Sequence, residues 1–183
     1  VINSSYNSRL DLYAEHVIRG DITTADGTVL AKTTVSDDGS ETREYPYGRM
    51  FAHVVGYTNN GKGGLESQYN FNLLRSHSFF LTQIINDLKN KKNIGDTLVT
   101  TLDYDVQETA YKALGDRDGA VVVMEVKTGK ILALVSKPDF DPNTLAERWD
   151  DIVSDENSSV LLNRVTSGLY PPGSTFKIFT TLE

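Results

Sequence analysis

The spacing of apolar residues changes several times along this chain, and each change marks an element. Residues 8–16 carry the pattern of a short helix. Val17-Ile18-Arg19-Gly20-Asp21-Ile22 and Thr28-Val29-Leu30-Ala31 read as short strands around the turn Ala25-Asp26-Gly27, which predicts a hairpin. Residues 36–49 hold two clusters of turn formers, Asp37-Asp38-Gly39-Ser40 and Tyr45-Pro46-Tyr47-Gly48, and are expected to run as loop over the surface. Gly61-Lys62-Gly63-Gly64 interrupts the pattern again before a helix start at Leu65-Glu66-Ser67-Gln68-Tyr69.

Phe80, Leu81, Ile84, Ile85 and Leu88 recur at three and four, so an amphipathic helix is expected over 79–88. Gly95-Asp96 ends it. Leu98 to Leu102 is rich in β-formers, and Asp103 stands where an N-cap would open a helix through Val106, Ala110 and Leu114 to Gly115. Ala120–Val126 and Ile131–Val135, joined by Lys127-Thr128-Gly129-Lys130, form the strongest strand pair. Runs this apolar fit strands buried on both faces by flanking helices. That implies an α+β domain beginning near residue 96, with a boundary in the 75–95 region. Pro138, Pro142 and the acidic Asp150, Asp151, Asp155 and Glu156 mark a long surface excursion of the kind that can border a cleft.

Composition narrows the partners. With 39% hydrophobic and 23% charged residues among 183, the chain belongs with folded polypeptides rather than disordered ones. A net charge of −7 opposes any ligand whose affinity comes from neutralised phosphates. The one basic cluster, Lys89, Lys91 and Lys92, has no aromatic for base stacking, so no nucleic acid is expected. There is no cysteine, and His16, His53 and His77 lack ligand spacing, so neither a metal nor a cofactor is expected. No apolar run approaches the roughly 20 residues of a membrane span. Val1 in place of an initiating methionine suggests a processed product whose anchor has been removed.

The chemistry lies in Tyr170-Pro171-Pro172-Gly173-Ser174-Thr175-Phe176-Lys177. Two prolines and a glycine make a rigid turn, after which Ser174 can open a helix. Lys177, three residues on, falls on the same helical face. A serine hydroxyl needs an adjacent base to attack a carbonyl, and no histidine lies near it in sequence. An amine whose charged form is disfavoured by burial beside a helix N-terminus can serve, and the free N–H of Ser174 can donate to an oxyanion. A bare Ser-x-x-Lys spacing is weak evidence, and an N-cap serine with a solvated lysine would explain it equally well. The full proline-to-lysine string is far more restrictive.

That string resembles the active-site serine motif of the penicillin-binding proteins. Arg19-Gly20-Asp21-Ile22 with Asp26-Gly27-Thr28-Val29-Leu30-Ala31 resembles the first signature of the class B pedestal. Tyr45-Pro46-Tyr47-Gly48 through Ala52-His53-Val54-Val55-Gly56-Tyr57 resembles the second, and Gly64-Leu65-Glu66-Ser67-Gln68-Tyr69-Asn70 the third. Thr100-Thr101-Leu102-Asp103 with Val106-Gln107, and the 119–136 hairpin, resemble the opening of the transpeptidase domain. The matches fall in the family's order, and the pedestal signatures resemble class B rather than the bifunctional class A enzymes, whose glycosyltransferase would precede this domain.

The resemblance implies a β-rich pedestal (dimerisation-type) domain over 1–90 and, over 91–183, the N-terminal part of a β-lactamase-like transpeptidase domain, an antiparallel sheet flanked by helices. It implies a peptidoglycan D,D-transpeptidase in which Ser174 is acylated by D-Ala-D-Ala stem peptides and by β-lactams, with Lys177 as general base. It further implies a protein anchored on the extracytoplasmic face of the bacterial membrane, partnered by a SEDS-type glycosyltransferase and other cell-wall proteins. Two later motifs of the family, Ser-x-Asn and Lys-Thr-Gly, have no place before Glu183, so the chain alone is expected to be an inactive fragment. Lys127-Thr128-Gly129 and Tyr57-Thr58-Asn59 match them by letter but precede Ser174 and are assigned no role. The alternatives are a non-catalytic scaffold module, and a penicillin-recognising sensor or serine β-lactamase. Arg19 and Glu66, from separate signatures, are expected to pair.

Overall fold

The computed structural model describes residues 16–76 and 92–181. The helix expected at 79–88, and all but the last residue of that expected at 8–16, lie outside them. The predicted hairpin is present: Ile22–Thr23 (β2) pairs antiparallel with Val29–Val35 (β3). Its turn closes through Thr24 N–H to Thr28 O and Thr28 N–H to Thr24 Oγ1, both 2.9 Å, with Gly27 at φ +92°. Val17–Ile18 (β1) departs from that hairpin and runs parallel to Asn93–Ile94 (β5). Leu98–Val99 (β6) lies parallel to β2, and with residues Glu41–Glu44 (β4) on the far side of β3 the four-stranded order is β4-β3-β2-β6.

The outermost strand of that sheet corrects the sequence reading. Residues 36–49 are not all loop, because Glu41–Glu44 (β4) pairs with Lys32–Val35 of β3. No apolar alternation announces Glu-Thr-Arg-Glu as a strand. Backbone pairing at a sheet edge and the burial of one side chain, Arg43, hold it there instead.

One face of this sheet meets Ala52–Val55 (α1), Gly64–Gln68 (α2) and Asn70–Leu73 (α3) over a core of Ile22, Leu30, Ala31, Tyr45, Phe51, Val55, Leu73 and Leu102. Leu102 and the partly buried Tyr104 and Ile131 bring the second half of the chain into that core. Fully burying each such aliphatic side chain contributes roughly 1.5–3 kcal/mol.

The second half is built as its pattern predicts. The Asp103 side chain accepts from Val106 N–H at 3.0 Å and opens Tyr104–Leu114 (α4), which Gly115 ends at φ +58°. Gly119–Met124 (β7) and Ile131–Lys137 (β8) form the antiparallel pair, with Gly129 supplying the turn at φ +74°. Val121, Val123, Ala133 and Val135 pack on Val106, Ala110, Tyr111 and Leu114 of α4. The opposite face is less covered than expected: Val122 and Met124 of β7, which point away from α4, are 48% and 52% exposed.

The excursion after β8 also differs from a solvated loop. Phe140, Pro142 and Leu145 are buried, so residues 138–145 form a strap laid against α1. Phe140 sets its ring edge-on to His53 and Tyr57, at centroid distances of 5.2 and 5.7 Å. Asn143 exchanges two hydrogen bonds with the backbone of Tyr45, at 2.9 and 3.0 Å, as a neighbouring strand would. Trp149–Ser154 (α5) and Arg164–Ser167 (α6) follow, α6 capped by the Asn163 side chain. The chain then reaches Ser174.

Candidate active site

Ser174 and Lys177 lie on one short helical segment, which begins as a 3-10 turn, Gly173–Phe176, and continues as Lys177–Thr180 (α7). A single α-helix opening at Ser174 was expected. The tighter first turn follows from Gly173, at φ +54°, and from Pro172, whose carbonyl accepts both the N–H of Thr175 at 3.2 Å and its hydroxyl. In a 3-10 turn, residues i and i+3 eclipse one another, so the spacing of Ser174 and Lys177 puts both on one line.

Both residues are exposed, and among the described residues their side chains do not hydrogen-bond to each other. The N–H of Ser174 makes no backbone hydrogen bond there, so it is a free donor beside its own hydroxyl. Leu169, Tyr170, Phe176, Ile178 and Phe179 are all more than half exposed around it.

What precedes this segment is tied down at several points. Ser136 Oγ of β8 accepts from Arg164 N–H at 3.0 Å and donates to Leu162 O at 3.2 Å. Asn163 donates to His53 O at 3.1 Å, which joins the foot of α6 to α1. Gln107, fully buried in α4, donates to Met50 O and Leu134 O at 2.8 and 2.9 Å and accepts from Leu134 N–H at 2.8 Å. A polar residue on the stripe 107, 110, 114 was the available signal for that role. Tyr111 donates to Asp139 at 2.6 Å, and Arg49 reaches the same carboxylate at 3.1 Å. Burial and then this bond to Asp139 push the Tyr111 phenol well up.

The pedestal signatures meet as the sequence suggested and recruit a partner it did not. Arg19 Nε donates to Glu66 Oε2 at 2.6 Å, its Nη1 to Asn70 Oδ1 at 2.6 Å and its Nη2 to Glu66 O at 2.7 Å. Arg43 takes the other carboxylate oxygen, Oε1, at 2.8 Å, and donates to Gly20 O at 2.8 Å and Thr33 Oγ1 at 3.0 Å. Glu66 is fully buried, so two guanidiniums share one desolvated carboxylate. Burial, with Glu66 close by, pushes the Tyr45 phenol up to about 12. Arg43 lies in the segment read as loop, and no spacing pointed to it.

The look-alike motifs have structural duties. Lys127-Thr128-Gly129 is the β7–β8 turn, where Thr128 Oγ1 bonds Glu125. Tyr57-Thr58-Asn59 leaves α1, and Thr58 Oγ1 accepts from Tyr45 OH at 3.4 Å. His53 Nε2 sits 3.1 Å from Pro138 O. Among the described residues no cluster has the makings of a metal site, and no helix is long and apolar enough to cross a membrane.

Comparison with known proteins assigns this arrangement to a class. Residues 19–98 match the penicillin binding protein A dimerisation domain, and residues 119–183 match the penicillin binding protein transpeptidase domain. The chain belongs to the class B penicillin-binding proteins. It is 38% identical to the peptidoglycan D,D-transpeptidase PbpA of Mycolicibacterium smegmatis, over 94% of this chain and 38% of the relative. It is 34% identical to the MrdA enzyme of Acinetobacter baumannii, over 74% of this chain and 25% of the relative. Among solved structures it is similar to penicillin-binding protein A from M. tuberculosis in its imipenem acyl-enzyme complex, at 33% identity and a TM-score of 0.80, covering 91% of this chain and 42% of that one. The D,D-transpeptidase domain of an Eggerthella lenta peptidoglycan glycosyltransferase matches at 37% identity and 0.76, covering 90% and 36%. The chain therefore spans about two fifths of the length of the first of these relatives.

Proposed function

We propose that the protein containing this chain is a peptidoglycan D,D-transpeptidase whose nucleophile is Ser174. The observation that carries the reading is the Pro171-to-Lys177 string on a short helical segment, where a serine hydroxyl, its own free N–H and an amine three residues on share one stretch. It stands in a chain whose relatives are named for this activity, one of them crystallised as β-lactam acyl-enzymes.

The Ser174 hydroxyl attacks the carbonyl of the D-Ala-D-Ala bond, and the Lys177 amine takes the hydroxyl proton. The Ser174 N–H donates to the oxyanion of the tetrahedral intermediate. Collapse expels the terminal D-alanine, which leaves with a proton, and an amine from a neighbouring stem peptide then displaces Ser174. A β-lactam forms the same ester, and its opened ring keeps the leaving group attached.

The domain reading stays with this proposal: a pedestal over 1–90 and the start of the transpeptidase domain over 91–183, with β5 and β6 beside that boundary pairing back onto β1 and β2. The whole protein is placed on the extracytoplasmic face of the bacterial membrane, anchored by a helix and partnered by a SEDS-type glycosyltransferase.

Fluorescent penicillin on the full-length protein tests the site. Labelling is expected in wild type and not in Ser174→Ala. Lys177→Ala is expected to slow acylation by roughly 100- to 10,000-fold, the usual worth of a general base. Undiminished labelling of Ser174→Ala would overturn the assignment.

A further inference from the structure

A cleft of about 480 Å³ opens where the strap and α6 face α1 and the loop leading into α2, and it contains neither Ser174 nor Lys177. That volume is in the range of small-ligand sites, about 300–1,000 Å³, which favour junctions between structural units. Its floor is held by close backbone approaches. A Cβ on Gly63 would lie 2.6 Å from the Tyr57 ring, and one on Gly64 would lie 2.7 Å from Val54 O. The cleft is thus shaped by positions that only glycine fills.

Three polar residues of its lining have unused hydrogen-bonding or charge capacity. His53 lines the cleft and is only 8% exposed, yet just one of its ring nitrogens is engaged. Because Pro138 O can only accept, Nε2 carries the proton, and Nδ1 is left as an acceptor without a partner among the described residues. Burial holds the imidazole below its ordinary pKa, which keeps that acceptor available at neutral pH. Ser67 Oγ makes no hydrogen bond among the described residues. Lys62 stands at the rim, exposed, with no carboxylate paired to it there. Among the described residues it is the only formally charged one of the lining, which there brings a single positive charge and no acid to oppose an anion. Tyr57, Leu65, Leu134, Phe140 and Leu161 supply apolar wall.

We infer that this cleft is a second ligand site, for a small monocarboxylate that also carries an amide or hydroxyl donor and a methyl group. The donor meets His53 Nδ1, the carboxylate meets Lys62, and the methyl meets the Phe140 side. Two sources share that chemistry, an acylated peptide ending in alanine and an N-acetylated sugar acid. The choice of these two sources rests on the proposed cell-wall function, while the site itself is built from residues apart from Ser174, so a Lys62 variant tests it separately from acylation.

The test uses full-length protein carrying Ser174→Ala, titrated calorimetrically with diacetyl-lysyl-D-alanyl-D-alanine in one arm and N-acetylmuramic acid in the other. Saturable binding of at least one probe is expected, and the tighter probe identifies the source. Lys62→Ala should weaken it about tenfold, the equivalent of one charge-assisted hydrogen bond. His53→Gln, which keeps a donor for Pro138 O but loses the Nδ1 acceptor, should weaken it about fivefold. Lys62 is exposed, so its loss leaves folding intact and keeps the test decisive even if His53→Gln misfolds. No saturation of either probe by about 10 mM, or affinity unchanged in Lys62→Ala, overturns the inference.

Discussion

The charged cluster beneath the pedestal signatures and the segment bearing Ser174 are opposites in how they are held. Around Glu66, three charged side chains and Asn70 are buried and bonded to one another, drawn from positions 19, 43, 66 and 70. Around Ser174, the chain is exposed, and its bonds run within a few residues of one another. The first region is fixed by long-range pairing that no local rule encodes. The second takes its shape from Pro-Pro-Gly and helical spacing alone. A motif can therefore set the order of reactive groups along a helix while leaving their protonation to whatever buries them.

The contrast breaks most visibly at Glu66. Glu66→Ala strands two buried guanidiniums and should destabilise the fold by about 3–5 kcal/mol, read as a lower urea midpoint; a loss below about 1 kcal/mol would mean the cluster is hydrated. Leu73→Ala, in the neutral core beside it, is expected to cost about 2–5 kcal/mol. Asp103→Ala, which removes the α4 cap, should cost about 1 kcal/mol in the same measurement. At the other extreme, Ile178→Ala should move the midpoint by no more than about 0.5 kcal/mol, as surface changes do. A larger effect would show that the serine segment is packed in solution.

His53 sharpens the comparison through pH. Its folded pKa is lowered, chiefly by burial, so between that value and the unfolded 6.5 the unfolded state holds more protons. Its contribution is fully present above pH 6.5 and is lost as pH falls below it. Part of the acid-side loss of stability should be absent from His53→Gln, as followed by melting temperature from pH 7.5 down to about pH 5.

Much of this was legible in the sequence where the cause is local. Asp103 caps because a carboxylate fits the free amides of a first turn, and Gly115 and Gly129 end or reverse the chain because they accept positive φ. The Arg19–Glu66 pair was legible only through the family's signatures. Arg43 was not, since its strand has no apolar rhythm and its partner is 23 residues away. The parallel pairings β1–β5 and β2–β6 join segments whose own patterns say nothing of each other. The strap was misread because its prolines and acidic residues resemble loop, while Phe140, Pro142 and Leu145 anchor it. At the site, the sequence set Ser174 and Lys177 on one line but could not say what covers them.

The most direct test of the central claim is peptide mass spectrometry after penicillin G has reacted with the full-length protein. Trypsin releases the segment from Val165 to Lys177 as one peptide. The account predicts the drug's full mass on that peptide, fragmenting to Ser174, and its disappearance in Ser174→Ala. An adduct on any other residue, with this peptide unmodified, would contradict it.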